Sequence, residues 1–294
     1  MSRWTFGPIT IDRVVELEQP LLAPSVLYPT ATPAALVAHR GWLEPSLLDP
    51  ATGLLSMAFH TFVVRTPRRT ILVDTCAGNY KPRPQKPRYH LRRWPYLERL
   101  AAVGVTPDAV DLVVFTHLHV DHVGWNTRLL DGRWTPTFPR ARYLFVRDEW
   151  EFWREEYKSA RFTDDPYYED SLLPVLDAGL VDLVAPDHAL DDGVALDPTP
   201  GHTPGHVCVR VRGGGREAVM SGDLMHHAVQ CAEPQWSSCF CVDPARSRGA
   251  RRAFLERYAH TDTLILPAHF PTPTAGRIRR EGAAFRFAFE RAAG

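Results

Sequence analysis

The chain has 294 residues, enough to bury a large core as one layered domain. Lys plus Arg and Asp plus Glu both number 34, so no excess of basic charge marks it for nucleic acid or an anionic membrane. Five irregularly spaced cysteines point to reduced thiols in a cytoplasmic protein, and neither a signal-peptide pattern at Met1–Pro8 nor a membrane-length apolar run is present. In chain order, Ile9 to Leu17 reads as a strand, followed by a Pro- and Leu-rich loop from Gln19 to Pro50, so that residues 1 to about 50 form an N-terminal arm. Met57–Arg65 and Thr70–Asp74 read as a strand pair about the turn Thr66–Arg69. Lys81 to Arg93 is a basic, proline-rich loop, and a helix over Pro95 to Val103 stops at Gly104. A short strand, Asp111 to Phe115, follows; then Asp131-Gly132 marks a hairpin turn and Arg142–Val146 a strand. A helix is expected over Asp148 to Ala160, and another from the N-cap Asp243 and Pro244 to about His260. No linker or charge block divides the chain, so residues 1–294 read as a single domain.

The chemistry is concentrated at strand ends. His117-Leu118-His119-Val120-Asp121-His122 places three imidazoles and a carboxylate directly behind the apolar Val113-Val114-Phe115. Nitrogen and carboxylate donors of this kind suit zinc, with manganese, iron or cobalt as alternatives. Three further strand or turn ends each lead to a ligand-type residue: His202 after Leu196–Gly201, Asp223 after Glu217–Gly222, and His269 after Thr263–Ala268. Sheet enzymes collect their chemistry beyond strand ends, so one mouth receiving all these groups is expected.

Those motifs carry a resemblance. His117–His122, Thr199-Pro200-Gly201-His202-Thr203-Pro204-Gly205-His206, Ser221-Gly222-Asp223 and Pro267-Ala268-His269 resemble, in the right order, the ligand motifs of the metallo-β-lactamase-fold hydrolases. Asp74-Thr75 at a strand end also matches, and the likeness extends from about Thr61 onward. Gly222-Asp223-Leu224-Met225-His226 and Ala268-His269-Phe270 resemble the branch that holds methyl parathion hydrolase and the acyl-homoserine lactonases. The resemblance implies an α/β (α+β) fold, a four-layer αββα sandwich. It implies two divalent ions, zinc above all. His117, His119 and His202 would hold one, Asp121, His122 and His269 the other, and Asp223 would bridge them. Such a pair acidifies the water it holds and polarises a carbonyl or phosphoryl oxygen.

Neighbouring choices remain at several positions. The family pattern favours His202 over His206 as the ligand, with His206 as a supporting group. Asp74 is either a hydrogen-bond partner of a ligand histidine or a turn-forming cap. Where the lactonases often carry a tyrosine, three residues past the bridging aspartate, this chain has His226; His226 either takes that catalytic place beside Asp121 or, like His227, packs or faces solvent. The resemblance departs from β-lactamases that have cysteine at the Asp223 position and from flavodiiron oxidoreductases that have glutamate at the His119 position. The resulting expectation is a hydrolase of small esters, a lactonase with accessory phosphotriesterase activity, acting on a small-molecule substrate. The alternatives are a glutathione-thioester hydrolase resembling glyoxalase II, a mononuclear iron persulfide dioxygenase, and a non-catalytic metal-stabilised binding protein. Cys231, Cys239 and Cys241 read as buried thiols rather than a second metal site. Trp125, Trp236, Phe240 and Phe270 line either a pocket or the core. The basic stretch Lys81, Arg83, Lys86, Arg88, Arg92 and Arg93 reads as a solvated loop, with an anionic substrate as the other reading; the acidic run Asp148 to Asp170 offers it a complement across a homodimer.

Overall fold

The computed structural model describes residues 2–158 and 166–290. They fall into two compact units, one drawn from 1–17 and 59–192, the other from 18–58 and 193–294. The first fifty residues therefore contribute to both.

The first unit is built on a sheet with the order β1-β2-β3-β4-β5-β8-β9. These strands are β1 (Arg3–Phe6), β2 (Ile9–Leu22), β3 (Leu55–Arg65), β4 (Thr70–Val73), β5 (Leu112–Val114), β8 (Arg142–Val146) and β9 (Val181–Val184). A separate hairpin joins β6 (Thr127–Leu130) to β7 (Arg133–Pro136), with Asp131 and Gly132 both at positive φ in its turn. This is the mirror-image turn that an Asp-Gly pair favours. β3 and β4 pair antiparallel, while β4, β5, β8 and β9 run parallel to one another. Central parallel strands are covered on both faces, which is why Ile71-Leu72-Val73 and Leu112-Val113-Val114 are apolar without alternation, and all are buried. The parallel run also sends Asp74 and the histidine cluster out of the same end of the sheet.

The second unit is built on a sheet with the order β10-β11-β12-β13-β14-β15-β16. These are β10 (Ala189–Asp191), β11 (Val194–Pro198), β12 (Val207–Gly213), β13 (Arg216–Gly222), β14 (Leu264–Pro267), β15 (Gly276–Glu281) and β16 (Ala284–Phe289). β13 and β14 are parallel, with a register shift between Met220 and Gly222. Gly222 has φ +50°, and the irregular step turns the chain out of the strand at Asp223. The stretch expected as a loop from Gln19 to Pro50 holds the end of β2 and three short helices, Pro24–Leu27, Pro33–Val37 and Arg40–Leu43. Leu27, Tyr28, Leu43, Leu47 and Leu48 pack in one apolar cluster with Leu224, Met225, Trp236, Phe254 and Phe270. Each fully buried aliphatic side chain contributes about 1.5–3 kcal/mol, which is what holds a segment with so little regular structure. Helix Pro244–Tyr258 opens as expected, with the Asp243 side chain accepting from the amides of Ala245 and Arg246.

Other elements move by a few residues. The helix expected over 148–160 runs Arg147–Glu156; Ser159 and Ala160 lie outside the described residues. The helix before Gly104 is Tyr96–Ala102, and Gly104 ends it at φ +79°. The basic loop is not solvated throughout, because the Lys81 and Arg83 side chains are completely buried and pair with Asp170 of the same chain. No helix among the described residues is long and apolar enough to cross a membrane.

Candidate metal centre

In the first unit, the cluster His117–His122 leaves the end of β5. The Asp74 carboxylate, on the neighbouring β4, organises it. Asp74 Oδ1 accepts from the Thr116 amide at 2.8 Å, and Oδ2 accepts from Thr116 Oγ1 at 2.9 Å and from His122 Nδ1 at 2.9 Å. The lone Thr116 hydroxyl proton goes to Asp74, so Thr116 Oγ1 must accept from His117 Nδ1, 3.1 Å away. Both histidines therefore carry their proton on Nδ1 and present the Nε2 lone pair. His117 Nε2 lies 2.9 Å from His119 Nδ1, a separation that brings two donor nitrogens toward one point. Asp121 Oδ1 lies 3.9 Å from His122 Nε2, and Tyr89 donates to Asp121 Oδ2 at 3.3 Å. Asp74 thus supports ligand-type histidines, and its φ of +58° shows the tight bend that aims it.

The loop is held from behind by groups that the sequence did not single out. Glu149, on helix Arg147–Glu156, accepts from the Leu118 amide at 2.9 Å and from Trp153 Nε1 at 2.7 Å, and the Trp153 ring packs edge-on against His119. Glu16 accepts from the Ala77 and Gly78 amides, both at 3.0 Å, and from Trp125 Nε1 at 2.6 Å. Burial pushes the Glu16 carboxyl up to about 7 against those donors. The backbones of Ala77-Gly78 and Gly124 are in direct contact; a Cβ on Gly124 would sit 2.0 Å from the Ala77 carbonyl. Only glycine permits that approach. Trp125, read as pocket or core, is buried and serves this clamp.

In the second unit, Asp223 is the centre. His202 Nε2 lies 3.3 Å from Asp223 Oδ2, His226 Nε2 lies 3.2 Å from the same oxygen, and His269 Nε2 lies 3.0 Å from Oδ1. His269 Nδ1 faces the Ala58 carbonyl at 3.0 Å, which only accepts, so His269 also presents an Nε2 lone pair. His202 Nδ1 has the Cys241 thiol at 3.5 Å. Burial drives the His202 imidazole down to about 3, with Asp223 pulling the other way, so it is neutral at physiological pH. Burial lowers His226 as well. His206 is differently engaged: its Nε2 accepts from the Asp223 amide at 3.0 Å and its Nδ1 pairs with Thr199 Oγ1 at 2.9 Å. Its nitrogens fix the Asp223 backbone. His227 is turned away, with Nε2 on the Leu47 carbonyl, while the His226 amide donates to Gln230 Oε1 at 2.6 Å. Gln230 also accepts from Tyr28 and donates to the Trp236 carbonyl, where Arg251 donates too. Gln230 and Arg251 had no local signal in the sequence. Of the three clustered cysteines, Cys231 is buried as expected, Cys241 is half-buried beside His202, and Cys239 is exposed because the chain comes to the surface there, after the buried Ser237 and Ser238. Phe270 and Trp236 belong to the core, whereas Phe240 is exposed with its ring centroid 6.3 Å from His226.

The donor set fits divalent transition-metal ions. His117, His119, Asp121, His122, His202, Asp223 and His269 all offer ligand atoms. The supports on Nδ1 of His117, His122 and His269 are those that orient metal-binding imidazoles.

The sheets, their parallel centres and these strand-end donors define a mixed α/β protein with a candidate metal centre. Residues 60–280 match the family described as the metallo-beta-lactamase superfamily, and the chain belongs to it. Among curated relatives, an N-acyl homoserine lactonase of a Bacillus species is 32% identical over 107 residues, covering 36% of this chain and 35% of the relative. N-acyl homoserine lactonase AiiA of Bacillus thuringiensis subsp. kurstaki is 33% identical over 107 residues, with the same coverage. The chain thus matches about a third of the length of these relatives. Among solved structures, hydrolase AbOPH of the beta lactamase superfamily superposes with a TM-score of 0.83 at 21% identity, covering 99% of this chain and 98% of its own. AidC, a dizinc quorum-quenching lactonase in complex with a product, gives 0.79 at 19% identity, covering 100% and 98%. These likenesses show the fold, the metallo-β-lactamase fold that the motifs implied.

Proposed function

We propose that the chain is a dinuclear metal-dependent hydrolase of small esters, and that its substrates are lactones. His117, His119 and His202 would hold one ion, Asp121, His122 and His269 the second, and Asp223 both. The observation that carries this reading is the division of the Asp223 carboxylate: Oδ2 faces His202 Nε2 and Oδ1 faces His269 Nε2, one oxygen toward a donor of each set. A carboxylate shared in this way offsets the mutual repulsion of two cations. When bound, such ions supply an acidified water and Lewis-acid polarisation of the ester carbonyl.

The remaining work falls to the chain. Asp74 and Thr116 fix the protons of His122 and His117 on Nδ1. His206 holds the Asp223 amide. Asp121 would orient the attacking water, accept its proton and pass that proton to the departing alkoxide oxygen. His226 stands beside Asp223, at the sequence position where lactonases of the branch it resembles often carry a tyrosine, and would contact the substrate carbonyl, while the exposed Phe240 ring next to it would offer an apolar surface to the acyl part. The lactonase relatives support the choice of ester over β-lactam, as does a carboxylate rather than a thiolate at position 223.

A hydrolysis screen tests the reading. Metal-loaded protein is assayed against lactones, aryl esters, phosphotriesters, glutathione thioesters and penicillins. Turnover of lactones or aryl esters well above that of penicillins is expected. Preference for glutathione thioesters would move the assignment to the glyoxalase II-like alternative, and efficient penicillin hydrolysis would refute it.

A further inference from the structure

The basic loop between residues 79 and 93 is a closed, anchored structure. Its ends are clasped by Tyr80 N to Arg92 O at 2.9 Å, Leu91 N to Lys81 O at 2.8 Å, and Asn79 Nδ2 to Trp94 O at 2.9 Å. Its base is locked by Arg83, which donates to Asp170 Oδ2 and Oδ1 at 2.6 and 2.8 Å. Lys81 donates to Thr127 Oγ1 at 2.5 Å and to the Asp170 carbonyl at 2.8 Å, with its ammonium 3.7 Å from the Trp134 ring centre. The Arg83 amide donates to His90 Nδ1 at 3.0 Å, and a turn from Lys86 to Tyr89 closes with Tyr89 N to Lys86 O at 2.9 Å. Tyr89 leaves this frame buried, packs edge-on against Phe59 with centroids 5.4 Å apart, and ends with its hydroxyl 3.3 Å from Asp121 Oδ2.

We propose that Tyr89 is a positioning residue for Asp121: its hydroxyl takes Oδ2 and so commits Oδ1, the oxygen turned to His122 Nε2, to the second metal ion. The inference rests on the reading of Asp121 as a donor to that ion. A carboxylate without such a partner rotates about its Cβ–Cγ bond and exchanges its oxygens. A phenol anchored at both ring and backbone removes that freedom, as supporting groups around metal sites do. The buried cations of the loop acquire a role by the same argument. They make the carrier of Tyr89 rigid.

The test is competitive metal titration of the stripped protein, with cobalt as a spectroscopic probe, resolved into first and second ions. Tyr89→Phe keeps the ring on Phe59 and removes only the hydroxyl. The second ion should bind about 10–100-fold more weakly, with the first ion and the thermal stability of the stripped protein unchanged. In turnover assays kcat should fall with little change in KM. Phe59→Leu loosens the ring anchor but keeps the hydroxyl and the backbone anchor, so it should weaken the second ion clearly less than Tyr89→Phe does. Wild-type affinity for both ions in Tyr89→Phe would overturn the proposal, as would equal weakening by Phe59→Leu. Saturation of the wild-type protein at one ion would instead overturn the dinuclear reading beneath it.

Discussion

Replacing Asp170 with asparagine puts the buried ion cluster to a quantitative test. Lys81 and Arg83 have no exposed side-chain surface, and Asp170 only 4%. Asparagine keeps the shape and one acceptor oxygen but removes the charge and turns an amide donor toward the guanidinium. Breaking a buried pair from one side costs about 3–5 kcal/mol, because the remaining charge stays out of water. The two cations respond differently. Burial already holds the Lys81 ammonium down to about 7, so it sheds its proton as the pH rises, whereas a guanidinium stays charged. The sign follows. A lysine whose folded value lies below its unfolded one binds more protons when unfolded, so the penalty for burying it is full below about pH 7 and fades above it. Asp170→Asn should therefore destabilise most at pH 6 and less at pH 9. With about 2–4 °C lost per kcal/mol in a protein of this size, the melting temperature should fall by roughly 10 °C at neutral pH. Calorimetry at matched metal content measures this. The apolar triple replacement Lys81→Met, Arg83→Met, Asp170→Leu should recover most of the loss. A loss under about 1 kcal/mol, independent of pH, would mean the cluster behaves as an exposed pair and would refute the reasoning.

Asp223→Ala should abolish activity and weaken retention of both ions, read by elemental analysis; unchanged metal content would show that Asp223 is not shared. His202→Ala should cost far more metal affinity than His206→Ala, since the His206 nitrogens are engaged with Asp223 N and Thr199; the reverse order would mean that the motif register is wrong. Glu16, raised to about 7 by burial, takes up a proton on folding between its unfolded value and that pH, so its contribution to stability falls as pH rises through this window. Glu16→Gln should flatten that part of the stability–pH curve, by an amount of order 3 kcal/mol between pH 4 and 8, and an unchanged curve would show that Glu16 does not titrate there.

What the sequence disclosed depended on how local each signal was. β8 was legible at both ends, and β3, β4 and β5 nearly so, because β-branched apolar runs are bounded by charged or turn residues within a few positions. The hairpin at Asp131-Gly132 and the cap at Asp243 are equally local. β1 was missed although Phe6-Gly7-Pro8 carries a turn, with Gly7 at φ +58°. The short helices between residues 24 and 43 were missed too. Thr32-Pro33 and Ala23-Pro24 give proline helix starts, but four- and five-residue helices have no period to read.

The candidate donors were legible for the same reason, since four of them lie within six positions and the others follow a strand or turn. Their supports were not, apart from Asp74, which stands at a strand end like the donors, and His206, which shares a motif with His202. Glu149, Glu16 and Tyr89 each meet their partner across a gap of 31 or more residues, and nothing in a single sequence marks such a pair. The loop with Lys81 and Arg83 misled for a related reason. A run of cations reads as solvated when no anion is near it in sequence, and the anion here lies 87 residues beyond Arg83, past a segment of acidic and aromatic residues. The complement expected across a dimer for that acidic run is, at Asp170, met within the chain. A candidate metal centre of this kind is thus written twice: its potential donors in short motifs, and the groups that would decide which donor atom faces an ion in pairs that only folding brings together.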